Sequence, residues 1–204
     1  MVGKLILVRH GETDKNINHS LHAFGDTEGL NDNGAAQIKI TAERLSEMTP
    51  HKIYSSKERR ALESAKILSE FLKVPVEETD GMEERNWGIF TGKPWEEVKK
   101  ILDPMTLDER YNYTPRDGES WKVFESRLKK TIRKITTDNL GKSVMVVTHG
   151  GAIRALMPYL LRVPKEESFK YDPDNASLTI FDFDKDKFTN IVVNDTTHLK
   201  EQNT

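Results

Sequence analysis

Two histidines, each followed by glycine, and a group of arginines are where this chain could do chemistry. Arg9-His10-Gly11-Glu12-Thr13 lies near the start and His149-Gly150-Gly151 far along the chain, with Ser55-Ser56-Lys57-Glu58-Arg59-Arg60 between them. A neutral imidazole is a nucleophile, and guanidinium forks match the oxygens of a phosphate. Glycine beside a histidine lets backbone amides come close to a bound ligand. Singly, each has a plain alternative, since a histidine at a strand end is commonly a structural hydrogen-bonder and an arginine on a helix is commonly solvated. Jointly they predict a pocket for a dianion. The chain has no cysteine, which excludes thiolate nucleophiles, thiolate metal sites and disulfides.

Three short apolar runs must carry these groups. Residues 5–8, 52–54 and 144–148 read as buried strands, and each ends just before one of the reactive segments. A polar turn and a helical pattern follow each. Residues 33–48 place Ala36, Ile40 and Leu45 on one face, residues 58–72 place Ala61, Ala65, Leu68 and Leu72 inward, and residues 151–161 are mostly apolar. This alternation predicts an α/β fold, a three-layer αβα sandwich around a mainly parallel sheet. Ligands of such sheets bind beyond the carboxyl ends of the strands, where both histidines fall. Residues 74–77 offer a further strand, and residues 121–136 a long amphipathic helix opened by Asp117-Gly118. Residues 178–183 and 188–194 flank Asp184-Lys185-Asp186 as a hairpin, which makes the sheet antiparallel at one edge. Residues 1–204 read as one domain, with residues 94–117, containing Trp95, Tyr111 and Tyr113, as a lid insertion.

The chain has 204 residues, 36% hydrophobic and 31% charged, with a formal charge of −2, so no global field draws it to nucleic acid. The apolar run after Lys4 covers only residues 5–8, whereas a secretory core needs about 7–15 residues and a membrane span about 20. The expectation is a cytoplasmic protein with neither membrane nor nucleic-acid partner.

Residues 7–13, Leu-Val-Arg-His-Gly-Glu-Thr with Asn16 beyond them, resemble the defining motif of the histidine phosphatase superfamily, the phosphoglycerate mutase-like family. Leu30, Gly34 and Gln37 resemble the start of that family's first helix, Tyr54-Ser55-Ser56 through Arg60-Ala61 its second arginine motif, and Glu84-Arg85-Asn86-Trp87-Gly88 with Gly92 its acid loop. Gly118-Glu119-Ser120 resembles a further family segment, and Val147-Thr148-His149-Gly150-Gly151 the second histidine motif. The resemblance runs along most of the chain in the family's order and implies its fold.

It also implies roles. His10 is the nucleophile that becomes phosphorylated; Arg9 and Arg60 hold the phosphoryl oxygens; Asn16, His149 and Gly150 add donors. The family pattern puts arginine directly before alanine, which selects Arg60 and leaves Arg59 as a solvated helix residue. Glu84 is the general acid, chosen over Glu83 by its spacing to Gly88, with Glu83 then a surface carboxylate. Glu12 is either a ligand or a helix-start residue. No metal or other cofactor is required, because arginines and histidines supply the charge; His19 and His22, three apart, are the alternative as metal ligands. The implied activity is metal-independent hydrolysis of a small phosphorylated metabolite. The short chain and the aromatic residues around Gly88 favour hydrolysis over mutase-type phosphoryl transfer. A non-catalytic phosphate-binding protein is a further alternative. A dinucleotide-binding reading lacks its glycine-rich turn after the first strand. Trp95, Arg110, Tyr111, Tyr113 and Arg116 are offered as residues closing over the substrate, and association into homo-oligomers is left open.

Overall fold

In the computed structural model, which describes residues 1–22 and 25–200, six strands form one sheet. They are β1 (Gly3–Arg9), β2 (Lys52–Ser55), β3 (Val76–Glu78), β4 (Ser143–Thr148), β5 (Leu178–Asp184) and β6 (Lys187–Asp195), in spatial order β3-β2-β4-β1-β5-β6. The first four are mutually parallel, and the β5–β6 hairpin adds the antiparallel edge. Register decides where the chemistry goes. Arg9 pairs with Thr148 and Ser55 with Val147, so β1, β2 and β4 end level and release His10, Ser56 and His149 at one edge.

Side chains alternate across the sheet because the strand period is two. Leu5, Leu7, Val144, Val146, Phe181 and Phe183 pack on one face beneath α6 (Trp121–Asp138) and α7 (Gly150–Leu161). Ile6, Val8, Ile53, Met145 and Val147 pack on the other beneath α2 (Asp32–Arg44) and α3 (Arg59–Leu72). Three-layer packing results. Shorter helices are α1 (Asp14–Ile17), α4 (Trp95–Leu102), α5 (Leu107–Asn112) and α8 (Thr197–Lys200). Among the described residues no helix is long and apolar enough to cross a membrane.

Three local expectations change. The inward face of α2 is Gly34, Ile38, Thr41 and Ala42 followed by buried Leu45, whereas Ala36 is exposed and Ile40 half-buried. Backbone packing sets that face: a Cβ on Gly34 would stand 2.1 Å from the Glu12 carbonyl oxygen, so only glycine lets the helix lie against the loop after β1. Thr41 is tolerated inside because its hydroxyl donates to the Gln37 carbonyl at 2.9 Å. Leu72, expected inward, is half-buried at the end of α3. Helix α6 starts at a Ser120 cap whose hydroxyl accepts the Val123 N–H at 3.2 Å, three residues beyond the Asp117 turn.

Candidate active site

His10 leaves β1 buried, only 2% exposed, and its ring is fixed from two sides. Nδ1 donates to the Gly11 carbonyl at 2.7 Å, and Arg60 Nε donates to Nε2 at 3.3 Å. Both contacts require the same tautomer, with the proton on Nδ1 and the lone pair on Nε2. Burial, reinforced by the charge of Arg60, His149 and Arg9, holds the ring's pKa well below the ordinary histidine value. His10 is therefore a neutral imidazole with one nitrogen ready to bond.

Arg60, on the first turn of α3, is fully buried. Its Nη2 donates to Glu58 Oε2 at 2.6 Å, while Nη1 has no partner. His149, the residue preceding α7, has its ring centroid 5.2 Å from that of His10. Its Nε2 lies 2.8 Å from Ser56 Oγ and 2.9 Å from Glu58 Oε2. Burial and the nearby arginines keep this imidazole neutral too, donating through Nε2 and leaving Nδ1 unpartnered. Arg9 Nη1 donates to the Pro173 carbonyl at 2.6 Å, and its Nε is likewise buried without a partner. A Cβ on Gly150 would come 3.2 Å from that Nε, so a side chain there would crowd the guanidinium and press it aside by a few tenths of an ångström.

These groups lie at the end of a cavity of about 560 Å³. Arg9, His10, Asn16, Glu84 and Gly150 line it; Arg60 and His149 are not lining residues but stand directly against His10. Asn16 has its Oδ1 occupied by the Thr13 N–H at 3.1 Å and the Asn175 amide at 3.0 Å. Glu84 accepts the Gly151 N–H on Oε2 at 2.9 Å and the Arg85 N–H on Oε1 at 2.7 Å. Two aromatic pairs form the outer walls. Trp87 meets Trp95 with centroids 5.8 Å apart, and Trp121 meets Phe169 at 5.0 Å. Arg85, largely buried yet also lining the cavity, stacks 4.2 Å from the Trp87 ring, and burial lowers its pKa to about 10.

Comparison with known proteins identifies the family of the chain. The model of the histidine phosphatase superfamily (branch 1) matches residues 5–196. The chain belongs to that superfamily. It is 34% identical to phosphoglycerate mutase-like protein 4 of Arabidopsis thaliana, over 97% of this chain and 87% of that one. It is 28% identical to phosphoserine phosphatase 1 of Hydrogenobacter thermophilus, covering 97% and 95%. The solved phosphoserine phosphatase of Entamoeba histolytica, in complex with 3-phosphoglyceric acid, superposes with a TM-score of 0.85 at 26% identity, covering 97% and 99%.

In this histidine phosphatase fold, some side chains go elsewhere than the sequence suggested. Glu12 is held by the Asn31 and Asn33 amides at 3.1 and 2.9 Å and does not line the cavity. Arg59, by contrast, is the solvated helix residue expected, exposed and paired with Glu63 at 2.7 Å. Glu83 is not a free surface carboxylate: it accepts the Gly81 N–H at 2.8 Å, with Arg127 at 3.6 Å. His19 and His22 share no helix face, since α1 ends before them and His19 has φ 50°. His22 is buried beside His10 at a ring distance of 5.8 Å, and burial and the nearby charge of Arg60 push its pKa down to about 3. Of the five residues expected to close over a substrate, Trp95 and Arg110 reach the cavity. Tyr111 turns away to donate to Glu125, Tyr113 packs on Phe90, and Arg116 is exposed.

Glu58, His22, Asn175 and Arg85 were missed, and each was hidden for the same reason. Their residue types mark them only as charged or polar, and only the packed fold brings His22 and Asn175 against His10, Glu58 against Arg60 and His149, and Arg85 onto Trp87. For Glu58 the signal available was an acid two residues before the arginine and level with a strand end.

Proposed function

We propose that this protein hydrolyses phosphate monoesters of small molecules through a covalent phosphohistidine on His10. One observation carries the reading. Beside His10, whose Nε2 lone pair is fixed for attack, Arg9, Arg60 and His149 each hold one buried nitrogen, Nε, Nη1 and Nδ1 respectively, that has no partner. An unsatisfied buried donor costs about 1–3 kcal/mol, more when charged, and a tetrahedral dianion would satisfy all three. His149 Nδ1 becomes a donor on taking the proton that an adjacent dianion favours.

In the first step the His10 Nε2 lone pair attacks phosphorus in line. The N–P bond forms as the ester P–O bond breaks, and Glu84 passes its proton to the leaving oxygen, so an alcohol departs. Water then attacks phosphorus and gives its proton to the Glu84 carboxylate; the N–P bond breaks and inorganic phosphate leaves. Arg9 and Arg60 oppose the charge on the three equatorial oxygens through both steps, the role a metal ion has elsewhere. The segment carrying α4 and α5 is the lid, contributing Trp95, Leu102 and Arg110 to the wall.

The test is turnover of a generic ester with and without chelator, combined with mass spectrometry of protein trapped during turnover. Equal turnover in both, with an acid-labile phosphoryl group on the His10 peptide, is expected. A His10→Ala variant that still turns over, or an adduct on another residue, sinks the proposal. Phosphoryl transfer to added glycerate in place of phosphate release would indicate the mutase alternative.

A further inference from the structure

Gly118-Glu119-Ser120 stood out in the sequence, yet none of its side chains lines the cavity. Its surroundings show what it holds. Glu119 Oε1 accepts the Asn86 N–H at 2.9 Å and Arg127 Nη2 at 2.7 Å, and Oε2 accepts Arg127 Nε at 3.1 Å. The same guanidinium, reaching out from α6, donates to three carbonyls of the segment leading into Glu84: Gly81 at 3.3 Å, Glu83 at 3.0 Å and Glu84 at 2.9 Å. Backbone contacts complete the junction, with the Glu119 N–H on the Asn86 carbonyl at 2.9 Å and the Ile89 N–H on the Arg116 carbonyl at 3.0 Å.

We infer that Arg127 and Glu119 are positioning residues for proton delivery: a bidentate ion pair that sets the backbone of residues 81–86 and so aims the Glu84 carboxyl. This rests on the reading of Glu84 as the proton donor. Five N–H groups in a rigid fork suit a guanidinium to holding a carboxylate and several carbonyls together; an ammonium would place its donors without that planar geometry. Neither residue touches the phosphate pocket, so each acts through the position of Glu84. The loop has a second anchor in Thr148 Oγ1, which donates to the Met82 carbonyl at 2.6 Å, so losing the clamp should loosen the acid without releasing the whole loop.

The role has a kinetic signature. An alkoxide is too basic to leave without a proton, whereas p-nitrophenolate leaves largely unaided. Proton transfer of this kind contributes roughly 100- to 10,000-fold, and a misplaced acid forfeits part of it. We expect Arg127→Lys to lower kcat/KM for glycerol phosphate by roughly 10- to 100-fold, and by at least tenfold more than for p-nitrophenyl phosphate. Glu119→Gln should shift the ratio the same way by less, and it serves if the arginine variant fails to fold. The value of kcat/KM is the right readout because it reports phosphoryl transfer to His10 and not the later hydrolysis. Equal losses on both esters, or none on either, would overturn the inference and leave the pair a structural staple. Glu84→Gln is the reference. If that variant too shows no dependence on the leaving group, the proton-donor reading falls together with the clamp.

Discussion

Removing the charge of Glu58 tests whether the buried machinery depends on it. Glu58 Oε2 lies 2.6 Å from Arg60 Nη2 and 2.9 Å from His149 Nε2, and the side chains of all three are at most 2% exposed. Glu58→Gln keeps the shape but deletes the only anion in contact with Arg60 among the described residues. At an effective dielectric of about 20, unit charges about 4 Å apart interact by roughly 4 kcal/mol. Deleting one partner of a buried pair costs about 3–5 kcal/mol for the same reason. The glutamine can still accept one hydrogen bond, so the low end, about 3 kcal/mol, applies. In a chain of this size each kcal/mol moves Tm by about 2–4 °C, so the variant should melt about 6–12 °C lower. A bound phosphate or vanadate restores negative charge beside Arg60 and should therefore raise Tm more in the variant than in the parent. Differential scanning calorimetry with and without the anion measures both quantities. A Tm within about 2 °C of the parent, with an unchanged anion increment, would refute the assignment of Glu58 as the counter-charge.

Stability should fall with acid in a specific window. His10, His22 and His149 all have folded pKa values depressed by burial, so the unfolded chain takes their protons first. Their contribution is present above the unfolded value, about 6.5, and is lost as pH falls below it, by about 1.4 kcal/mol each between pH 7.5 and 5.5. Urea unfolding should show about 4 kcal/mol less stability at pH 5.5, and His22→Gln should remove about a third of that drop; a flat profile contradicts the burial argument. At Gly151 a Cβ would lie 2.3 Å from Glu84 Oε1, so Gly151→Ala should displace the acid and cost roughly tenfold or more in kcat/KM on alkyl esters, with unaltered activity counting against Glu84. Trp95→Ala opens one aromatic wall and should raise KM for naphthyl phosphate by about three- to tenfold, with little change for methyl phosphate; equal effects would show that Trp95 does not meet the leaving group.

How much was legible beforehand follows from the range of each interaction. Strand and helix order came from local periodicity, because burial on one face repeats every two or every 3.6 residues. The hairpin at 184–187 and the reactive strand ends are equally local. The inward face of α2 was not, because Gly34 and Thr41 do not register as apolar, although one permits close backbone packing and the other satisfies its hydroxyl within the helix.

Sequence alone determined which residues are available: an imidazole and an arginine ending β1, an arginine opening α3, an imidazole preceding α7, a carboxyl in the loop after β3. These positions follow from the chain's own order of strand, turn and helix. Only the tertiary structure decided their chemical state. Burial makes His10 neutral, two contacts from separate segments choose its attacking nitrogen, and Glu58 and Arg127 gain their partners through packing between elements distant in the chain. Charge and tautomer are set by what surrounds a group in space, and that neighbourhood exists only once the sheet has brought its strand ends level.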